Sequence, residues 1–228
     1  IYCIRGDYDN AQQLLERART LCSDVNDQHI LGGVLLNLGV VAGTTGQYEV
    51  ARQLFQESLQ ISRKLRNRWN TMKALINLGN VAYFLQEYDH SRYLTKTALE
   101  IAESLQHYYG LAVCLNNLGC IAYEQGQYEE ARQLHERSCQ IFSDIGYRLG
   151  MIYTYNDLGR VARAQGHPQT ALSWLQKALR EANELQATPL LLDTLLEVAR
   201  LLHDQEQDER ARRLLQQIVH HPATATAT

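Results

Sequence analysis

Amide side chains recur along the sequence at a fixed spacing. Asn37, Asn77 and Asn117 follow one another at equal intervals, and the same interval leads on to Asp157 and Glu197. An asparagine amide both donates and accepts hydrogen bonds, so a row of these side chains can bind the backbone of an extended peptide whatever its side chains are. Alternatively, each amide bonds a neighbouring helix or water, and the row then binds no ligand.

A second set of residues follows the same spacing, three positions further on. Within it, Arg160 and Arg200 correspond to each other, and Arg163 lies about one helical turn after Arg160. A guanidinium group matches a carboxylate or a phosphate, so an acidic residue or a chain terminus could dock there. The alternative is a solvated network of salt bridges with the nearby acidic residues Asp157, Asp193, Glu197 and Asp204. The other members of the set are Val40, Asn80 and Cys120, of which Asn80 adds a further candidate amide.

Aromatic and amide side chains also occur together in the middle of the sequence. Tyr83, Phe84 and Tyr123 lie there, and Asn116 stands beside Asn117. Such a mixture suits the anchoring of a peptide, because tyrosine combines a large apolar area with a polar tip. Aromatic residues at this spacing equally well pack between helices.

The sequence lacks the common catalytic motifs. It contains no P-loop, G-x-S-x-G, H-E-x-x-H or glycine-rich dinucleotide turn. His135 takes a repeat position that elsewhere holds Leu15, Phe55 and Leu175. This indicates a partly buried packing residue. Neither Cys114 nor Cys120 has a histidine partner evident in the sequence. We therefore expect no enzymatic activity.

The five cysteines show neither CxxC pairs nor a cluster of histidine and cysteine ligands. We expect no disulfide framework, no metal site and no cofactor, and His220-His221 would bind a metal only adventitiously. Scattered thiols are typical of a reducing cytoplasm.

Composition excludes other classes of protein. The 228 residues are 45% hydrophobic and 21% charged, as in a folded soluble chain. A formal charge of -3 provides no basic field for nucleic acid, and no apolar run approaches the roughly 18 residues of a membrane span. We therefore expect neither nucleic-acid nor membrane binding. The chain opens on Ile1 instead of Met, so we expect a piece of a longer protein.

The candidate residues described above belong to a sequence repeat with a period of 40 residues. Its clearest markers are the tyrosines Tyr8, Tyr48, Tyr88 and Tyr128, and an upstream Leu-Gly pair such as Leu118-Gly119. From Tyr128 to Ile145, apolar residues recur every three to four positions, which predicts one face of an α-helix. The preceding segment shows the same pattern, and Gly126 lies between the two, so each repeat is predicted to be an antiparallel helix hairpin.

The repeat resembles the tetratricopeptide repeat family. One copy supplies Leu118-Gly119, Ala122-Tyr123, Gly126, Tyr128 and Ala131. The resemblance implies an all-α, right-handed superhelical solenoid covering residues 1–220, with residues 221–228 as a disordered tail. An incomplete first repeat would occupy residues 1–26, and five hairpins would start near residues 29, 69, 109, 149 and 189. The resemblance also places both recurring sets of polar residues on the concave wall of the solenoid.

The long repeat is similar to those of kinesin light chains, spindle-orientation adaptors, quorum-sensing peptide receptors and the sensor arms of STAND-class signalling ATPases. The resemblance implies that the concave groove binds a protein or an extended peptide segment, which could belong to its own parent chain. We expect the sensor arm of a larger bacterial regulator in the cytoplasm. A free-standing adaptor and a receptor for a short signalling peptide are the alternatives.

Overall fold

A computed structural model describes residues 8–25 and 27–219, and these residues form eleven α-helices and no strand. The first ten helices have 17 residues each and the last has 12. The helices are α1 (Tyr8–Asp24), α2 (Gln28–Thr44), α3 (Tyr48–Lys64), α4 (Arg68–Phe84), α5 (Tyr88–Ser104), α6 (Tyr108–Glu124), α7 (Tyr128–Asp144), α8 (Arg148–Ala164), α9 (Pro168–Glu184), α10 (Thr188–Asp204) and α11 (Asp208–Val219). Successive helices therefore begin at equal intervals along the chain.

The helices end through the same backbone hydrogen bonds. After α2, the N–H of Gln47 donates to the carbonyl of Ala42 at 2.8 Å, and the N–H of Gly46 donates to the carbonyl of Gly43 at 3.2 Å. This pattern requires a left-handed residue, and Gly46 has a φ of 77°. At the corresponding position after α3, Arg66 adopts a φ of 52° without being a glycine. The turn thus forms even where its usual residue is missing.

The first helix of each hairpin begins in one of two ways. The side chains of Asp27, Asn67 and His107 accept hydrogen bonds from the backbone N–H three residues later, at 3.1, 3.0 and 2.9 Å. Such caps satisfy backbone donors that the helix leaves unpaired. Tyr147 and Ala187 stand at the corresponding positions before α8 and α10, and neither forms a side-chain cap.

The chain divides into two compact units, residues 1–117 and residues 118–228, called here the N-terminal and C-terminal units. In the N-terminal unit, α2 packs on α3, α3 on α4 and α4 on α5, and α2 also contacts α4. In the C-terminal unit, α7 packs on α8, α8 on α9, α9 on α10 and α10 on α11, and α8 contacts α10.

The Leu-Gly glycines permit the close contact of the paired helices. A Cβ atom on Gly39 would lie 2.5 Å from the ring of buried Phe55, and one on Gly119 would lie 2.6 Å from the ring of His135. Leu175 covers Gly159 in the same manner. The large residue of the second helix therefore occupies the space that the missing side chain leaves.

The structure confirms the predicted helix hairpins, whose first helices start at residues 28, 68, 108, 148 and 188, one residue before the expected positions. Residues 1–7 of the incomplete first repeat and the predicted tail, 221–228, lie outside the described residues, and the domain boundaries stay a prediction. None of the helices within residues 8–25 and 27–219 has the length and apolar character needed to cross a membrane.

Candidate functional site

A pocket of about 330 Å³ opens between the helices of the N-terminal unit. Its lining residues come from α2, α3 and α4 and are Gly39, Val40, Gly43, Thr44, Tyr48, Phe55, Asn77, Asn80, Val81 and Phe84. Most of this lining is apolar, and two of the predicted amides, Asn77 and Asn80, belong to it. Phe84 is 59% exposed and stacks on Tyr48 with the ring centroids 5.2 Å apart. We call this cavity the amide pocket.

The predicted asparagines differ in how they are engaged. Asn117 donates from Nδ2 to Oδ1 of Asn80 at 2.6 Å, so these two amides bond each other across neighbouring hairpins. Asn37 is exposed and Asn77 is half-buried, and the hydrogen bonds among the described residues include none from either side chain. Asn116 is half-buried beside Asn117. The row therefore combines an amide that bonds the neighbouring hairpin, Asn117, with two amides, Asn37 and Asn77, that form no hydrogen bond among the described residues.

Tyr83 packs near the turn of its own hairpin. Its ring meets Phe84 edge-on at 5.7 Å and Tyr88 at 5.8 Å. Tyr123 makes the corresponding contact in the C-terminal unit, 5.5 Å from Tyr128. These ring contacts agree with the alternative in which the aromatic residues pack between helices. Both tyrosines nevertheless remain partly exposed.

Arg160 lies within an ion-pair network of the C-terminal unit. Its Nη1 is 3.3 Å from Oδ1 of Asp157, and its Nη2 is 3.6 Å from Oε1 of Glu124. The guanidinium group also lies over the ring of Tyr123, 4.7 Å from the centroid, which is a cation–π contact.

The two other predicted arginines are paired as well. Arg163 Nη1 lies 2.7 Å from Oδ2 of Asp204, and Arg200 Nη1 lies 2.6 Å from Oε1 of Glu197. The geometry is therefore that of the salt-bridge alternative, since each guanidinium group already has a carboxylate partner. An acidic ligand would have to displace these carboxylates, and its docking here stays a prediction.

A cluster that the sequence analysis did not anticipate lies in the C-terminal unit. Cys120, His135 and Asp157, from α6, α7 and α8, bring one potential ligand atom each within 4.8 Å of one another. Oδ2 of Asp157 is 3.7 Å from Sγ of Cys120 and 4.0 Å from Nδ1 of His135. No histidine partner of Cys120 is evident in the sequence, because the fold brings together residues that are distant along the chain.

Burial governs the titration of this cluster. It raises the pKa of the Cys120 thiol well above its usual range, and the negative charge of Asp157 adds to that effect. Burial also lowers the pKa of His135, against the opposing influence of Asp157. His135 is only 1% exposed, so the prediction that it is a packing residue holds, and it is more buried than expected.

One regularity of the repeat could have revealed this cluster. A residue directly after a Leu-Gly pair meets the residue 37 positions later, as Asn80 meets Asn117 and Cys120 meets Asp157. The contact joins one recurring set to the other, which the spacing within each set does not reveal.

Solved structures share this fold at low sequence identity. BtubC from P. vanneervenii is 18% identical with a TM-score of 0.71, covering 95% of this chain and 92% of that one. A Rap protein complexed with Competence and Sporulation Factor is 16% identical with a TM-score of 0.77, covering 99% and 69%. A signal transduction ATPase with numerous domains and a tetratricopeptide repeat sensor, from Pyrococcus horikoshii, is 14% identical with a TM-score of 0.74, covering 97% and 34%. These likenesses confirm the predicted all-α solenoid class.

No curated protein matches the sequence. A family model described as tetratricopeptide repeat matches residues 1–64 and 70–144, and a second model of the same description matches residues 151–185. The first match alone covers more than half of the chain, and it includes Gly39 and Tyr48, which line the amide pocket. The chain belongs to the tetratricopeptide repeat family.

Proposed function

We propose that the chain binds a protein or an extended peptide segment, and that the amide pocket holds one of its apolar side chains. The observation that carries the proposal is the combination, in one cavity of about 330 Å³, of an apolar lining with the amides of Asn77 and Asn80. Recognition pockets commonly pair apolar walls with a few placed polar groups.

The hydrogen bonds of the pocket define what the ligand offers. Asn80 accepts from Asn117 through Oδ1, so its Nδ2 group remains able to donate. Asn77 can both donate and accept. A peptide backbone supplies the complementary carbonyl and N–H groups next to the apolar side chain, independently of the side-chain sequence.

The relatives favour a regulatory setting. The Pyrococcus horikoshii protein uses a tetratricopeptide repeat sensor in a signal transduction ATPase, and this chain covers about a third of it. We infer that this chain is the sensor arm of a larger bacterial regulator in the cytoplasm, whose partner can include another domain of the same parent chain. A Rap conjugation gene regulator solved in complex with the Phr* peptide favours the alternative of a peptide receptor. A free-standing adaptor is the third possibility, and none of the three requires enzymatic activity.

Two exposed valines offer a matched test of the pocket. Val40 lines it and is 39% exposed, whereas Val50 lies outside it and is 46% exposed. Peptides selected from a random library on the wild-type protein are titrated by fluorescence polarisation against Val40→Trp, Val50→Trp and Asn77→Ala.

We expect Val40→Trp to fill the pocket and abolish binding, and Val50→Trp to leave the affinity unchanged. Asn77→Ala should weaken binding by up to about 30-fold, as for a central interface residue. If no peptide is enriched, or if Val40→Trp binds as tightly as Val50→Trp, the proposal is wrong.

Two further observations distinguish the sensor arm, the adaptor and the peptide receptor: the sequence of the complete parent gene and the effect of a bound peptide on the shape of the protein. A nucleotide-binding module in the same chain supports the sensor arm, and a stand-alone reading frame supports the adaptor. A fall in the radius of gyration by small-angle X-ray scattering when a short peptide binds supports the receptor.

A further inference from the structure

The cluster of Cys120, His135 and Asp157 arises from three departures from the repeat at one place. The position of His135 holds Phe55, Thr95 and Leu175 in other hairpins, and the position of Cys120 holds Val40, Asn80, Arg160 and Arg200. The position of Asp157 holds Asn37, Asn77, Asn117 and Glu197. Only this copy brings together a thiol, an imidazole and a carboxylate. The fold does not require this combination, since the other hairpins form without it.

The separations are close to those of a metal site. In a tetrahedral zinc site, bond lengths of about 2.3 Å to sulfur and about 2.1 Å to nitrogen and oxygen place sulfur and oxygen about 3.6 Å apart, and nitrogen and oxygen about 3.4 Å apart. The observed distances from Oδ2 of Asp157 are 3.7 Å to Sγ of Cys120 and 4.0 Å to Nδ1 of His135. The third separation, between Sγ of Cys120 and the His135 ring nitrogen, is within 4.8 Å, so the three atoms would have to close on one ion by up to about 1 Å.

Neighbouring groups orient the candidate ligands. Arg160 bonds Oδ1 of Asp157 and leaves the other oxygen, Oδ2, facing the thiol and the imidazole. Gly119 provides the space for the His135 ring, because a Cβ there would lie 2.6 Å from it. Such outer contacts hold ligands in place in known metal sites.

The charge of the cluster suits a divalent ion. A bound metal cation deprotonates a coordinating thiol, so the thiolate and the carboxylate together would carry two negative charges, while the positive charge of Arg160 beside them is paired with Glu124. One sulfur, one nitrogen and one oxygen ligand form a donor set that zinc accepts readily. The carboxylate has a side-chain exposure of 15%, which leaves a route for the ion.

We propose that Cys120, His135 and Asp157 bind one Zn²⁺ ion, with the fourth coordination position open to water. The ion joins one ligand each from α6, α7 and α8, and all three ligands lie in the C-terminal unit. Its presence therefore stabilises the folded unit, because the unfolded chain does not assemble the three ligands.

Cobalt(II) is the probe, since a Co²⁺–thiolate bond gives a charge-transfer absorption that reports the cysteine directly. The reduced, metal-free protein is titrated with Co²⁺, and then with Zn²⁺ as a competitor. The variants are Cys120→Ser, Asp157→Asn and His135→Leu, the last two taken from the corresponding positions of other hairpins. Cys139→Ser is the matched control, because Cys139 lies on the same helix as His135 and outside the cluster.

We expect one Co²⁺ per chain, displaced by Zn²⁺, with a thiolate band that Cys120→Ser abolishes and Cys139→Ser retains. Asp157→Asn and His135→Leu should weaken the affinity by about 10-fold or more. Circular dichroism identifies any variant that fails to fold. In that case the test rests on Asp157→Asn, which changes the size of the side chain least.

Three results would overturn the proposal. The first is the absence of a thiolate band in the wild-type protein. The second is equal affinity in the wild-type protein and the folded Asp157→Asn variant. The third is a signal that disappears on replacing His220 and His221 by alanine, which would show adventitious binding only.

Discussion

The two units start the first helices of their hairpins differently. In the N-terminal unit, Asp27, Asn67 and His107 each cap a helix with a side-chain hydrogen bond, whereas Tyr147 and Ala187 form no such cap in the C-terminal unit. All five helices nevertheless begin in the same register of the repeat. Packing between helices therefore sets where a helix begins, and the cap adjusts its stability.

The units also differ in the polar residues around the Leu-Gly glycine, and the side chains that cover these glycines differ in stiffness. Rigid Phe55 covers Gly39 in the N-terminal unit, whereas in the C-terminal unit the His135 ring covers Gly119 and flexible Leu175 covers Gly159. Amides border a pocket in the first, whereas ion pairs of Arg160 occupy the corresponding position in the second. The repeat thus keeps its packing geometry while the polar chemistry varies.

The largest expected difference concerns the two glycines. Gly39→Ala should lower the free energy of unfolding by about 1–3 kcal/mol, because the Phe55 ring cannot yield without disturbing the core. Gly159→Ala should cost less, since the added Cβ meets the end of the Leu175 side chain at 2.9 Å and that end can rotate. Urea denaturation measures both. Gly43→Ala is the control, as its Cβ would lie 3.8 Å from the nearest atom. Equal losses at Gly39 and Gly159 would contradict this account.

Exchanging the caps between the units should have opposite effects. Asn67→Ala removes a cap and should cost about 1 kcal/mol, while Ala187→Asn should add up to about 1 kcal/mol. The backbone of Ala187, with a φ of -82° and a ψ of 70°, is close to that of Asn67, with -81° and 89°, so it can accommodate a cap. Thermal unfolding measures both changes. A loss of stability in Ala187→Asn would show that the first turn of α10 does not accept a capping side chain.

The ion pairs of the C-terminal unit should contribute less than a cap. Arg163→Gln breaks a contact between two helices at a side chain that is 23% exposed, and should cost up to about 1 kcal/mol. Arg200 is 50% exposed and pairs within its own helix, so Arg200→Gln should cost below about 0.5 kcal/mol. Denaturation in low and high salt measures both, and the Arg163 effect should shrink as salt rises. An Arg200 effect larger than that of Arg163 would contradict the ranking by burial.

The smallest expected effect is a dependence of the protein's stability on pH. It arises from His107, which caps α6 in the N-terminal unit. Burial lowers the pKa of His107, and Nδ1 can accept the hydrogen bond from Gly110 only while it is unprotonated. The unfolded chain therefore binds the proton more tightly, so the cap's contribution is present above about pH 6.5 and is lost as the pH falls below it. Melting temperatures across this range should fall less in His107→Asn, whose amide does not titrate. If the melting temperature falls equally with pH in the wild-type protein and in His107→Asn, His107 is not the source of the pH dependence.

The sequence was sufficient to predict the helices and their order. The fixed spacing of the repeat and the three-to-four-residue apolar pattern located the first helices to within one residue, because packing enforces a strict register. Turns without glycine were harder to foresee. Arg66 and Gln86 adopt left-handed conformations that the hydrogen bonds of the helix ends impose.

The candidate sites were only partly predictable. The recurring sets located Asn77 and Asn80, but the sequence did not show that Asn80 bonds Asn117 or that Cys120 lies beside Asp157. Both contacts join neighbouring hairpins, so they depend on the rotation of one helix against the next, which the spacing within a single helix does not specify.

The connections within and between hairpins have the same length. Each leaves three residues between successive helices, as residues 45–47 do before α3 and residues 65–67 do before α4. The length of a connection therefore does not distinguish a hairpin's own turn from the junction to the next. Deleting one helix together with one connection would preserve the length of every remaining connection and yet exchange the first and second helices of all later hairpins. Only the gain or loss of whole hairpins changes the length of the chain while keeping its recurring polar residues in phase.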